Sequence, residues 1–184
     1  AGRLVTELPA RFAELSAPLG ATRRVFGALH TGDAPNVIPS VARLRGTVRT
    51  PSRELWDAVP QYLRRAIADV LGESGAQWEL IHNRGIPPVV NDAAAMHTME
   101  LAARLMVGED AVFATEQSWG GDSFAWYLEE VRGAYARLGT HNPVTMGPRL
   151  DLHASTFDVD ERAIGIGITV MVNSALLWHT RPAS

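Results

Sequence analysis

The residues best suited to metal chemistry lie in one short stretch in the second half of the chain. Asp151, His153 and Asp158 offer two carboxylates and an imidazole, which are the side chains that catalytic metal sites use as ligands. No His-Glu-x-x-His pair accompanies them, so a loop histidine paired with an acid remains the alternative to a metal ligand. The residues alone therefore do not assemble a complete metal site.

Arg49 lies on the polar face of a predicted strand, immediately before a predicted helix. A planar guanidinium in such a position can bind a substrate carboxylate through two parallel hydrogen bonds. The alternative is a solvated arginine, for which Arg43 and Arg45 on the same face are ready comparisons. Both interpretations stay open on the pattern alone.

Two loops offer uncharged hydrogen-bonding groups. Asn36, within Pro-Asn-Val-Ile-Pro, can donate and accept hydrogen bonds, although turn formation is the commoner role of such an asparagine. Gly120 and Gly121 follow Trp119 and can present backbone N–H groups to an anion, or can form a flexible turn. Ser123 lacks the Gly-x-Ser-x-Gly context of a hydrolase nucleophile, and no phosphate-binding glycine motif occurs.

Composition excludes several other chemistries. The 184 residues include no cysteine, which rules out disulfides, thiolate metal sites and a cysteine nucleophile. The 17 basic residues are all arginines, and against 20 acidic residues they give a net charge of -3. Scattered arginines on an acidic chain do not predict a nucleic-acid interface, and Arg43, Arg45 and Arg49 are few for that task.

No segment predicts a signal peptide or a membrane anchor. The uncharged stretch 163–178 would form a helix of about 24 Å, short of the ~30 Å hydrocarbon core of a bilayer. The first residues mix charged side chains into their apolar pattern, unlike a signal peptide. We therefore expect a cytoplasmic protein without a membrane partner.

Two groups of predicted elements must position these residues. Apolar spacing in the first group predicts a helix at 4–15, bent or interrupted at Pro9, and a second helix from a Thr50 cap to Gly72. The strands that we expect in the first group are 24–29, 42–49 and 77–83. The order α-β-β-α-β predicts a helix-backed antiparallel sheet, and the glycine and prolines of 85–88 place a domain boundary after residue 86.

The second group, residues 87–184, contains mainly helices. We expect a helix capped by Asn91 or Asp92 and ended by Gly108, and a final helix that starts at Asp158 or Asp160. The segments between them are expected to be a short helix at 124–130, a strand at 134–138 and an irregular stretch at 139–157. The residues of the final helix that we expect to be buried are Ile164, Ile168, Met171, Val172 and Ala175.

Three stretches of the sequence together resemble a known enzyme family. They are Gly27-Ala28-Leu29-His30 with Ala34-Pro35-Asn36-Val37-Ile38-Pro39 and Gly46-Thr47-Val48-Arg49-Thr50, then Ser118-Trp119-Gly120-Gly121-Asp122-Ser123-Phe124, then Leu152-His153-Ala154-Ser155 with Phe157-Asp158. The first resembles the lid domain of the metal-dependent amidohydrolases of the aminoacylase, hippurate hydrolase and carboxypeptidase G-like type. The second resembles their glycine-rich substrate loop, and the third resembles the segment that carries their last metal-binding histidine.

This resemblance implies an α/β enzyme with a lid sheet that also forms a homodimer, followed by the C-terminal part of a metallopeptidase catalytic domain. In the family, zinc or manganese ions activate a water that hydrolyses the amide bond of N-acyl amino acids or similar small amides. His153 would be a metal ligand, Arg49 would bind the substrate carboxylate, and Asn36 would line the pocket, in its own or the partner subunit. Gly120 and Gly121 would present main-chain donors to the substrate.

The chain also departs from the family pattern. The family loop usually reads Gly-Gly-Glu-Asp-Phe, whereas Asp122 and Ser123 follow the glycine pair here, so the acidic role at this loop stays open. His30 fits the lid pattern, with a catalytic and a structural role both open. The remaining metal ligands, the general base and the first lid strand have no counterpart, because family members carry them earlier in the chain.

We therefore expect the lid and the C-terminal part of a larger amidohydrolase, inactive in isolation because a metal-activated water needs several ligands and a base. The alternative is a non-catalytic α/β module that dimerises or binds a small molecule.

Overall fold

The structure, a computed structural model, describes residues 1–180 apart from the side chain of Glu73, and these form two compact units. The first unit contains residues 1–90 and 117–126, and the second contains 91–116 and the chain from 127 onward. The helices are α1 (Gly2–Ser16), α2 (Arg53–Leu71), α3 (Ala93–Val107) and α4 (Arg162–His179), the strands are β1 (Arg23–Thr31) and β2 (Ala42–Arg49), and short 3₁₀ helices span Ala17–Leu19, Gly72–Ser74, Glu109–Ala111 and Ser123–Glu129.

In the first unit, α1 and α2 pack against each other and against the sheet. Phe12 of α1 and Val59 of α2 belong to one buried cluster, and Phe26 of β1 and Val48 of β2 pack on it from the sheet. Pro9 does not interrupt α1, which continues through it. The apolar stripes read from the sequence thus form a core on one face of the sheet and leave the other face exposed.

β1 and β2 form a two-stranded antiparallel sheet with a bulge at Gly27. Phe26 lies opposite Gly46, whereas Ala28 lies opposite Arg45, so that Gly27 has no partner of its own. An extra residue in one strand shifts the side-chain alternation of everything beyond it by one position. Counted along the sequence, the side chains of β1 after Gly27 therefore lie on the opposite faces from those that the alternation before Gly27 would give them.

In the second unit, α3 and α4 pack against each other, with Thr98 and Ala102 of α3 and Ala163 of α4 buried. The prediction of a buried apolar face on α4 was wrong for the described chain. Helix α4 packs mainly against α3, and the side of α4 that faces away from α3 is open. The exposed residues of that side include Ile164, Ile168 and Met171, each at least 60% accessible, together with Val172 and Ala175. No helix within residues 1–180 is long and apolar enough to cross a bilayer.

Two predicted strands are absent from the described residues. The backbone at 77–83 and at 134–138 is irregular. At Tyr135 the backbone N–H donates to Asn91 Oδ1 at 2.8 Å, and the carbonyl accepts from Asn91 Nδ2 at 3.0 Å. A side chain thus binds the groups that a neighbouring strand would have paired. The segment 77–83 alternates correctly, but the sheet has two strands, and alternation alone does not supply a third pairing.

The helix boundaries follow from side-chain caps. Asp92 caps α3 as predicted, with Oδ1 accepting from the backbone N–H of Ala95 at 2.9 Å. At α2 the predicted Thr50 cap was wrong. Ser52 is the cap, because its Oγ accepts from the backbone N–H of Leu55 at 3.3 Å, and the helix begins at Arg53. The strand predicted at 42–49 is confirmed as β2.

Candidate functional site

Arg49, the last residue of β2, contacts the glycine-rich loop. Its Nη1 donates a hydrogen bond to the backbone carbonyl of Trp119 at 2.5 Å. Both residues belong to the first unit, and Arg49 is exposed. Because a guanidinium carries five N–H donors, this bond leaves others to bind an anion. The structure therefore brings two of the sequence-predicted site segments, the end of β2 and the glycine loop, together.

The two loop glycines differ in the state of their backbone donors. The N–H of Gly120 donates to Ser118 Oγ at 3.1 Å. The N–H of Gly121 makes no hydrogen bond among residues 1–180. A Cβ added at Gly121 would meet nothing within 4 Å, so the backbone here is open to an approaching ligand. Of the two predicted main-chain donors, Gly121 is therefore the one whose N–H is unbonded within the described residues.

Asp122 has a structural task in the same loop. Its Oδ1 accepts a hydrogen bond from the backbone N–H of Phe124 at 2.8 Å, and its carbonyl accepts from Ala125 at 3.1 Å. These bonds start the 3₁₀ helix Ser123–Glu129 directly after the glycine pair. The carboxylate that departs from the family loop sequence therefore fixes the direction in which the chain leaves the loop.

Arg23, which sequence reasoning missed, meets the loop from the other strand. It lies directly opposite Arg49 in the register of the sheet. Its guanidinium carbon is 5.7 Å from the centroid of the Trp119 ring, within cation–π range. Trp119 thus contacts two cross-strand arginines, one through its carbonyl oxygen and one through its ring. Only the strand register reveals this pairing, because no sequence motif singles out Arg23.

The face that Arg23 and Arg49 share is cationic. Arg43 is on this face through the regular alternation of β2, and the bulge in β1 brings His30, which lies opposite Arg43, onto it as well. Arg45, opposite Ala28, belongs to it as well. Within the described part of the chain none of these four arginines forms an ion pair. Trp119 contacts the two arginines at one end of this face, Arg23 and Arg49, so the geometry favours the binding of an anion at that end.

Asn36 occupies an exposed turn between the two strands. The backbone N–H of Val37 donates to the carbonyl of Ala34 at 3.4 Å, which closes the turn around Pro35 and Asn36. Asn36 is therefore part of a turn, which is the alternative role that the sequence suggested for it. Its pocket-lining role stays a prediction.

His153, in the second unit, lies in a turn that Asp151 organises. Asp151 Oδ1 accepts a hydrogen bond from the backbone N–H of His153 at 2.9 Å. Asp158 Oδ1 likewise accepts from the backbone N–H of Val159 at 2.8 Å. The His153 side chain is exposed. Each neighbouring carboxylate thus accepts one backbone hydrogen bond, and the exposed imidazole is open to a ligand.

A complete metal centre does not arise from the described residues. Among residues 1–180, no three side chains of the metal-binding types lie close enough to hold an ion. Catalytic zinc sites commonly use three protein ligands and keep one position open. His153 therefore fits the role of one ligand among several, and the described chain by itself does not fit a loaded metal site.

Sequence comparison finds relatives over most of the chain. It is 39% identical over 152 residues to the Rhodococcus jostii (strain RHA1) protein called "Putative glutamate--cysteine ligase 2-3", covering 83% of this chain and 19% of that protein. It is 35% identical over 179 residues to a probable hydrolase of Synechocystis, covering 95% of this chain and 44% of the relative. It is 34% identical over 150 residues to the N-acetylcysteine deacetylase of Bacillus subtilis, covering 81% of this chain and 37% of the relative. No family model matches.

A solved structure matches as well. The chain resembles a Bacillus subtilis dinuclear metal-binding peptidase of the M20 family with a TM-score of 0.76 and 28% identity, covering 94% of this chain and 46% of that one. This match confirms the predicted α/β fold and the predicted relation to metal-dependent amidohydrolases and peptidases. The chain spans less than half the length of each of these four proteins. The match to the Rhodococcus protein covers only 19% of that protein's length, so the ligase name describes a protein far longer than the matched part.

Proposed function

Because this chain belongs to the M20 family of metal-dependent amidohydrolases and peptidases, we propose that it forms the lid and the C-terminal part of the catalytic domain of an enzyme that hydrolyses N-acyl amino acids or similar small amides. We place the lid at residues 1–86 and the catalytic part at 87–184. The family relation and the N-acetylcysteine deacetylase among the relatives support this substrate class. The remaining metal ligands and the general base would lie in the part of the enzyme that the relatives have beyond this match.

The observation that carries the proposal is the hydrogen bond from Arg49 Nη1 to the carbonyl of Trp119. It joins a cation to the glycine-rich loop two residues before Gly121, whose N–H is unbonded within the described residues. A substrate with a free carboxylate can bind Arg49 while its amide oxygen or its carboxylate accepts from the loop backbone. These residues bind and orient the substrate rather than carry out the cleavage.

His153 would supply one ligand to a divalent metal, zinc or manganese. Such a metal, when bound, acts as a Lewis acid and lowers the pKa of a coordinated water. An imidazole binds a metal ion through a ring nitrogen, and the exposed His153 side chain is open to such an ion. The homodimer expected for the lid would use the first unit, whose two-stranded sheet has open edges.

The test is hydrolysis of hippurate-type substrates by the full-length protein that carries this chain, with zinc or manganese added. We expect release of the free amino acid in the presence of metal and its loss after chelation. The 184-residue chain alone is expected to show no turnover, since the described residues lack a complete metal site. Turnover by the isolated chain would contradict the division of the enzyme proposed here, and no turnover by the full-length protein on any N-acyl amino acid would contradict the function.

A further inference from the structure

We propose that Arg23 and Arg49 bind the substrate carboxylate together, as two guanidiniums that Trp119 holds side by side. This inference rests on the proposed function and gives the same site a second specificity-determining residue. Arg23 is opposite Arg49 in the strand register, and both side chains are exposed. Directly opposed residues of an antiparallel pair have Cβ atoms about 4.5–5.5 Å apart, so two long guanidinium side chains can reach one ligand.

The pairing of two like charges needs a physical reason. Like charges directly opposite each other destabilise a strand pair. Neither arginine has an acidic partner within residues 1–180 that could offset this repulsion. An anion bound between the two guanidiniums would neutralise it. The arrangement is therefore unfavourable when empty and favourable when a carboxylate is bound.

Trp119 directs both arginines to the same place. Arg49 binds its carbonyl oxygen at 2.5 Å, and Arg23 lies over its ring at 5.7 Å from the centroid. Two cations that converge on one residue point to one shared anion rather than to two separate ones. A single carboxylate has two oxygens with about four acceptor sites, enough for both guanidiniums and the adjacent N–H of Gly121.

The other arginines of the first unit provide internal comparisons. Arg43 lies on the same face at the far end of the sheet and makes no contact with Trp119. Arg24 follows Arg23 in sequence but lies over the ring of Phe12 at 5.9 Å, on the helix side. Arg43 is therefore a matched control, with the same charge, the same sheet face and a similar exposure.

The experiment measures binding of 3-benzoylpropionate, in which a methylene replaces the amide nitrogen of hippurate, so that the probe cannot be hydrolysed. Calorimetric titration of the metal-loaded full-length protein compares the wild type with Arg23→Ala, Arg49→Ala, the double variant and Arg43→Ala. We expect Arg23→Ala to weaken binding about tenfold, as loss of a charge-assisted hydrogen bond predicts. Arg43→Ala should change it less than about twofold, as expected for a distant charge screened by salt.

Two further measurements make the proposal falsifiable. The effects of Arg23→Ala and Arg49→Ala should be non-additive in the double variant, since both would act on one anion. Binding of 3-benzoylpropionamide, which lacks the charge, should be the same in all variants. An Arg23→Ala affinity equal to that of Arg43→Ala, or equal losses for acid and amide, would overturn the shared site. Titration separates this outcome from failure of the proposed function, which would appear as absent turnover with intact carboxylate binding.

Discussion

At the scale of single residues, one tryptophan connects the two arginines of the candidate site. Trp119 offers a carbonyl to Arg49 and a ring to Arg23 while it starts the glycine loop. The resemblance of short motifs was enough to select Arg49, Gly120 and Gly121 from the sequence. It could not select Arg23, because the role of that residue depends on which residue lies opposite it.

Arg49→Ala in the full-length enzyme should raise KM for a substrate with a free carboxylate by about tenfold or more, the value of a charge-assisted hydrogen bond. KM for the corresponding amide should change much less, because the amide lacks the charge that Arg49 binds. Steady-state kinetics on hippurate and hippuramide measures both. Equal increases for the two substrates would assign Arg49 to holding the Trp119 loop and not to binding the carboxylate.

At the scale of elements, the sequence predicted correctly the elements whose signals lie within their own residues. The predictions failed where an element needs a particular neighbour to pair with it or to cover it. α2 and β2 follow from their apolar periodicity, and α3 follows from its periodicity and its Asp92 cap. The strand predicted at 134–138 failed because the Asn91 side chain binds the backbone of Tyr135. The burial predicted on α4 failed because periodicity shows which face is apolar and not what covers it.

Gly46→Ala should lower the free energy of unfolding by about 1–3 kcal/mol, the usual cost of forcing an extra group into a packed position. An added Cβ would lie 2.6 Å from the carbonyl oxygen of Val25 and 2.7 Å from Cδ1 of Phe26. The matched control is Gly27→Ala, where a Cβ would meet nothing within 4 Å. Urea unfolding of the two variants measures the difference, and similar losses for both would argue against close strand contact at Gly46.

Asp160 links the irregular stretch before α4 to the helix itself. Its side chain accepts hydrogen bonds from Arg162 Nε at 2.9 Å, the backbone N–H of Arg162 at 3.0 Å and Asn142 Nδ2 at 2.8 Å. The Arg162 side chain, then its backbone N–H and then Asn142 hold the pKa of this carboxyl well below its ordinary value. The bonds thereby stabilise the folded state as long as the carboxyl is ionised.

Asp160→Asn should therefore destabilise the protein at neutral pH, and the difference from the wild type should shrink as the pH falls. The sign follows from linkage: a carboxyl with a lowered folded-state pKa contributes stability above its unfolded pKa of about 3.9 and loses it below. Thermal unfolding between pH 7 and pH 3 measures this, with Asp158→Asn as the control. A constant difference across the range would exclude the charge of Asp160 as the cause.

At the scale of the whole molecule, the described residues form a cationic sheet face but not a metal centre. The relatives are more than twice as long as the part that matches here. The open apolar side of α4 and the single available imidazole of the His153 turn are both compatible with a larger catalytic domain. The expectation that the other metal ligands lie elsewhere in the enzyme came from the family motifs that have no counterpart in these residues, and it stays a prediction.

His153→Ala in the full-length protein should lower the bound divalent metal per chain, since one ligand of the centre is removed. His97→Ala, an exposed histidine of α3 in the same unit, should leave the metal content unchanged. Elemental analysis of the purified variants provides the measurement. Equal metal content in all three proteins would remove His153 from the ligand set.

The bulge at Gly27 decides which face the far end of β1 presents. Phe26 lies opposite Gly46 and Ala28 lies opposite Arg45, so deleting the unpaired Gly27 would leave both pairs, and the faces of the residues beyond them, as they are. If Gly27 were instead to pair with Arg45 and the strand became regular, Ala28 and His30 would turn towards the helices and Leu29 would turn onto the arginine face. Arg23, before the bulge, would keep its position opposite Arg49 in both cases. The extra residue therefore places His30 among the arginines, and a length change at Gly27 and a slip of the strand register would have opposite consequences.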